Sequence, residues 1–98
     1  MSLSLDAHHR QIVQAVLATH LPPGFTARVL GSRAKGAARP YSDLDLAMKG
    51  DEHLTLALLA DLADAFSESD LPFKVDVVDW RSVDAYMQEI IDRDGVEL

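Results

Sequence analysis

Apolar positions fall into four stretches with a helical period and three with the period of a strand. From Leu5 to about His20, Leu5, Ile12, Val13, Val16 and Leu17 recur at three- and four-residue steps with His9, Arg10 and Gln14 between them, which predicts a helix. Asp6 is placed to cap its start, and Pro22-Pro23-Gly24 ends it. Phe25 to Leu30 is short, β-rich and stopped by Gly31, the pattern of a strand. Gly31 to Ser42 is small and polar; its Ser-Arg-Ala-Lys stretch has room for one or two helical turns before Pro40. Asp43 to Met48 alternates with period two, which sets Asp43 and Asp45 on one face and Leu44, Leu46 and Met48 on the other.

After Gly50-Asp51, the residues Leu54, Leu58, Leu62 and Phe66 mark an i, i+4 stripe flanked by Leu59 and Ala63, with Asp61, Asp64 and Glu68 outward. Phe73 to Trp80 is a β-branched run and the third strand. Ser82 is the expected cap of a last helix whose one side carries Val83, Tyr86, Met87, Ile90 and Ile91, and Gly95 its C-terminal stop. The order α-β-α-β-α-β-α predicts an α/β (α+β) fold: a small mixed three-stranded sheet with flanking helices.

Length and composition narrow the picture. Ninety-eight residues, 48 % hydrophobic and 26 % charged, suit one globular domain spanning 1–98. No apolar run reaches the roughly 18 residues of a membrane span, so no membrane partner is expected. The absence of cysteine removes disulfides, thiolate metal sites and thiol nucleophiles, and is compatible with a reducing cytoplasm. A net charge of −7 disfavours a sequence-independent grip on nucleic acid.

Against that charge, Arg33, Lys35 and Arg39 form a local reversal in Gly31-Ser32-Arg33-Ala34-Lys35-Gly36-Ala37-Ala38-Arg39-Pro40-Tyr41-Ser42-Asp43-Leu44-Asp45-Leu46. A glycine and a serine leaving a strand for a short helix offer close backbone approach and outward amides, which suits a polyphosphate. This is not a P-loop, because Ala37 and Ala38 stand where lysine and a hydroxyl residue would be needed, and no G-x-G-x-x-G occurs. Behind the loop, Asp43 and Asp45 project the same way. At ~4–5 Å and an effective dielectric of ~20 their repulsion is roughly 3–4 kcal/mol, tolerable when a cation fills the gap. Carboxylates with open positions suit Mg²⁺, and Asp76 adds a third acid in an apolar strand. A phosphate loop beside clustered carboxylates fits two-metal phosphoryl or nucleotidyl transfer. Asp43 and Asp45 have a plainer reading as turn caps or partners of Arg33 and Arg39. Asp79 points to the other strand face and is read as a cap; Lys35 and Arg39 also fit as solvated charges. Tyr41 suits either stacking on a nucleobase or packing the loop, and the four histidines are read as surface residues.

Gly31-Ser32, followed by Ser42-Asp43-Leu44-Asp45-Leu46 and by Asp76 on a later strand, resembles the polymerase-β-type nucleotidyltransferase superfamily. Within it the chain is most similar to the minimal nucleotidyltransferase branch, with its Gly-Ser-Arg-Ala-x-Gly and Ser-Asp-x-Asp-Leu motifs. The resemblance implies that Asp43, Asp45 and Asp76 are metal ligands, for two Mg²⁺ ions, and that Gly31 and Ser32 hold the triphosphate of ATP; by their charge, Arg33 and Lys35 are read as further nucleotide-binding residues, either one neutralising the pyrophosphate. It also implies an antitoxin that transfers AMP from ATP to a tyrosine of an all-helical HEPN-type ribonuclease toxin, some relatives acting by binding alone. A small-molecule acceptor is the other enzymatic reading. The length leaves no room for an acceptor-binding domain, so a partner or a second copy is expected to complete the acceptor site.

Overall fold

The computed structural model describes residues 3–98; Met1 and Ser2 lie outside it. The chain runs α1 (Ala7–His20), β1 (Thr26–Leu30), α2 (Gly31–Ala34), β2 (Leu44–Lys49), α3 (Leu56–Ser67), β3 (Val75–Asp79), a 3₁₀ turn (Trp80–Ser82), α4 (Ala85–Asp94) and β4 (Val96–Glu97). Each long helix starts where a short polar side chain takes up an orphan amide of its first turn. Asp6 accepts from the His9 N–H at 2.8 Å, Thr55 from Leu58 at 3.1 Å and Asp84 from Met87 at 2.8 Å.

The sheet has four strands in the order β3-β2-β1-β4, not the three expected. β1 is antiparallel to β2 and to β4, whereas β2 and β3 are parallel, with α3 making the crossover. The extra strand is two residues long, too short for any period of two to show in the sequence. The last helix also begins later than expected: Asp84 is its cap, and Ser82 lies in the preceding 3₁₀ turn.

The core fills one face of the sheet. Ala27 and Val29 of β1 and Leu44, Leu46 and Met48 of β2 meet Val13 and Leu17 of α1 and Leu62 and Phe66 of α3. Leu44, Leu46, Met48 and Leu62 have no exposed surface, each such side chain contributing about 1.5–3 kcal/mol of burial. The alternate positions, Arg28 and Lys49, face the other way and reach α4. Arg28 donates to the Gly95 carbonyl at 3.3 Å, and Lys49 pairs with Asp92 at 2.9 Å while lying over the Trp80 ring. Of α4 only Ile91 is fully buried. Gly95 is required where the helix meets the sheet: a Cβ there would stand 2.5 Å from the Ile91 carbonyl and 3.2 Å from Arg28 Cβ. So α4 leans on the second face of the sheet and leaves part of that face open.

Candidate active site

That open part holds the carboxylates. The parallel register pairs Asp45 of β2 with Asp76 of β3, and the antiparallel register pairs Asp45 with Leu30, the residue before Gly31. Parallel neighbours lie about 4.8 Å apart and project on the same side, so Asp45 and Asp76 share the face that α4 leaves free. Asp43 is exposed just before β2. Burial raises the pKa of Asp45, and the nearby charges of Asp76 and Asp43 raise it further, with Lys74 opposing. Asp76 is not alone: Lys74 Nζ lies 3.3 Å from its Oδ1, on the exposed side of the pair.

Gly31 has φ +70°, a conformation that favours glycine, and a Cβ there would come 3.3 Å from Asp45 Oδ2. The loop backbone and the carboxylate are thus in immediate contact. A cavity of about 460 Å³ opens at this point. Its floor is Asp45, Asp76 and Val78, one wall is Gly31, Ala34 and Lys35, and the other is Met87, Ile90 and Asp94 of α4. Ser32 is exposed at the start of α2. The pKa of Asp94 is lowered, chiefly by its hydrogen bond to Arg93, against desolvation, with the charge of Lys35 the last contribution in the same direction.

Arg33 goes elsewhere. It is buried, and its guanidinium donates to the carbonyls of Ser4 (2.8 Å), Pro40 (3.2 Å) and Ser42 (2.7 and 3.1 Å) and stacks over Phe73 at 4.0 Å. All three donor nitrogens are engaged with protein carbonyls, and the side chain is absent from the cavity lining, so the expectation that it binds nucleotide is corrected. Arg33 instead ties the segment before α1 to the loop ahead of β2. Ser42 supports the same loop, its hydroxyl accepting from the Arg39 N–H at 3.0 Å.

Asp79 is the cap the sequence suggested, and more. Buried at the end of β3, it accepts from the N–H groups of Arg81 and Leu54 at 3.1 Å each, from Ser82 Oγ at 3.0 Å, and contacts His53 Nδ1 at 3.3 Å. Burial would raise its pKa; those hydrogen bonds outweigh burial and hold it below the usual carboxylate range. The α4 wall was not foreseen as part of the site. Its apolar stripe was read as one packed side, yet Ile91 alone satisfies the core, and the remaining width of the stripe is the signal that points to a second use.

Among the described residues no three His, Asp or Glu side chains are gathered tightly enough to hold a metal by themselves. Two carboxylates facing each other, with a third acid nearby, still fit Mg²⁺, which takes its remaining oxygens from water and phosphates. Asp45 facing Asp76 across the parallel ladder is the geometry that favours a cation there.

The model of a family described as polymerase beta, nucleotidyltransferase matches residues 13–98. The chain belongs to this family. It is 43 % identical over 89 residues to the Probable protein adenylyltransferase MntA of Haemophilus influenzae, an alignment covering 91 % of this chain and 77 % of the relative. It superposes on a solved minimal nucleotidyltransferase with a TM-score of 0.73 and 35 % identity, covering 100 % of this chain and 97 % of the other. On a toxin–antitoxin structure of MntA–HpeT the TM-score is 0.75 at 25 % identity, covering 91 % and 70 %. The nucleotidyltransferase fold expected from the sequence is therefore present, with one strand more.

Proposed function

We propose that this nucleotidyltransferase is an antitoxin that transfers AMP from ATP to a hydroxyl, a tyrosine for preference, of a HEPN-type toxin in the cytoplasm. The observation that carries this is the facing pair Asp45–Asp76 with Gly31 against Asp45, which brings a phosphate loop and carboxylates to one point. The protein adenylyltransferase name of the 43 % identical relative and the toxin–antitoxin assembly of the MntA structure support the choice of reaction and partner.

The roles follow from position. Asp43, Asp45 and Asp76 would hold Mg²⁺, two ions in this reading. Bound there, Mg²⁺ would supply a lower pKa for the attacking hydroxyl and charge neutralisation for the departing pyrophosphate. Gly31 lets the loop backbone approach the β- and γ-phosphates, and Ser32 offers them its hydroxyl. Lys35, exposed on the cavity wall, puts an ammonium beside the leaving group. The acceptor oxygen forms its bond to the α-phosphorus, the bond to pyrophosphate breaks, and the hydroxyl proton passes to solvent. A phenol suits this step, since it ionises more readily than an alcohol.

The test is intact-mass measurement of a HEPN-type toxin after incubation with this protein, ATP and Mg²⁺. A gain of one or more AMP units, lost with Asp43→Ala or Asp45→Ala, is expected. A toxin silenced at unchanged mass, equally well by the Asp variants, would replace catalysis by binding alone. AMP found only on small molecules would replace the protein acceptor.

A further inference from the structure

Two of the three acids at the site are held by the sheet. Asp45 and Asp76 lie inside the β2–β3 ladder, and the register fixes their backbones. Asp43 has no place in that ladder. It precedes Leu44, the first residue of β2, and belongs to the loop that leads there from α2. Rotation about its two backbone dihedrals is enough to carry its carboxylate out of reach of the other two.

The peptides on either side of Asp43 are both pinned. The carbonyl of Ser42, ahead of it, accepts two hydrogen bonds from the Arg33 guanidinium, at 2.7 Å from Nη2 and 3.1 Å from Nε. The amide of Leu44, after it, donates to the Lys74 carbonyl at 2.8 Å. With both peptide planes fixed, φ and ψ of Asp43 are fixed, and so is the direction of its Cβ. The Leu44 bond extends the pairing of β2 with β3. The Ser42 bonds come from a side chain, and that side chain belongs to α2, the turn that opens with Gly31 and Ser32.

Arg33 is 4 % exposed, and a guanidinium so buried is costly unless its donors are met. The carbonyls of Ser4 and Pro40 take the rest of the fork, and the Phe73 ring covers its face. One residue therefore joins the phosphate loop to the peptide that carries Asp43.

Resting on the proposed role of Asp43 as a metal ligand, we infer that Arg33 is a positioning residue: through the Ser42 carbonyl it aims Asp43 at the metal, from outside the cavity and without touching nucleotide. Lysine at this position keeps the charge, but its single nitrogen cannot grip Ser42 from two donors and reach Ser4 and Pro40 as well. Asp43 then turns through directions that hold no metal, while Asp45 and Asp76 stay in register.

Mn²⁺ serves as the probe. Its binding to the protein in the presence of α,β-methylene-ATP, which cannot transfer AMP, is followed by the electron paramagnetic resonance of the free ion, with urea unfolding measured on the same samples. Arg33→Lys is expected to weaken Mn²⁺ binding by about tenfold, the scale of losing the partner that orients a metal ligand. Arg33→Gln, which buries no charge, replaces it with the same expectation should the lysine variant not fold. Asp79→Asn, destabilised away from the cavity, should bind Mn²⁺ as wild type does. In an Asp43→Ala background the Arg33 substitution should change Mn²⁺ affinity no further, because the group it aims is gone. Wild-type affinity in the Arg33 variant, or the same loss added on top of Asp43→Ala, overturns the inference. An equal loss in Asp79→Asn also overturns it, by making the effect one of stability alone. Wild-type protein that holds no Mn²⁺ overturns the metal site and this inference together. Mn²⁺ binding that follows these expectations while no AMP reaches a toxin overturns the proposed reaction and leaves the positioning role standing.

Discussion

β3 carries two aspartates three residues apart, and they live under opposite conditions. Asp79 is buried and saturated: two backbone amides, a serine hydroxyl and a histidine ring surround its oxygens, and the donors hold its pKa down. Asp76 faces Asp45 across the strands with the exposed Lys74 beside it, and burial, followed by the charges of Asp76 and Asp43, raises the pKa of Asp45. Arg33 and Lys35 repeat the contrast among cations, one fully occupied by carbonyls, the other exposed on a cavity wall. A charge whose hydrogen bonds are all met by the protein is holding the protein together.

The sharpest way to break this comparison is at Asp45. Asp45→Ala should lower AMP transfer by about 10³-fold, the order of several kcal/mol of metal-assisted stabilisation, read as AMP added per toxin in a timed assay. Asp45→Asn should leave the metal-free protein at least as stable as wild type, because a repelling charge is gone. It should also lose the protection by Mg²⁺–ATP, which in wild type is about 2.7 kcal/mol at a hundredfold excess over Kd. A mutant that melts earlier without ligand would class Asp45 with Asp79.

Asp79→Ala should do the reverse. Leu54 and Arg81 keep amides with no acceptor, at a cost of about 2–4 kcal/mol in urea unfolding, while Mg²⁺–ATP still raises the melting point of the folded fraction. Arg33→Lys, which keeps the charge and loses the planar fork, should cost about 1–3 kcal/mol of stability. Lys35→Ala should leave urea stability within about 0.5 kcal/mol and weaken ATP binding in calorimetry.

The smallest effect is in pH dependence. Asp79 has a folded pKa below its unfolded value. Its stabilisation is therefore complete above the unfolded value near 4 and lost as pH falls through the lower folded one. Asp79→Asn should flatten the unfolding free energy in that acidic window and leave its slope near neutrality unchanged.

Much of this was legible in the sequence because it depends on periods. The period of two in Asp43–Met48 put Asp45 on the face opposite Leu44, Leu46 and Met48, and the fold keeps it there. Gly31 before a short helix was legible as a close approach, though not that the thing approached is Asp45 itself. Arg33 was misread because local composition reports charge and not direction. Phe73 and the carbonyls of Ser4 and Ser42, which claim it, are distant in sequence or carry no side-chain signal. The α4 wall was hidden for a similar reason: an amphipathic stripe shows that a face is apolar, not whether sheet or cavity lies against it.

The parallel pairing of β2 with β3 has a consequence for how the molecule can be divided. The loop and Asp45 lie before α3; Asp76 and the α4 wall lie after it. A chain opened between Ser69 and Pro72 would yield two fragments, one holding Gly31 and Asp45, the other Asp76, Met87 and Ile90. Neither has a facing carboxylate pair, so AMP transfer would report the reassociation of the halves, a split enzyme whose seam runs along the β2–β3 and β1–β4 ladders.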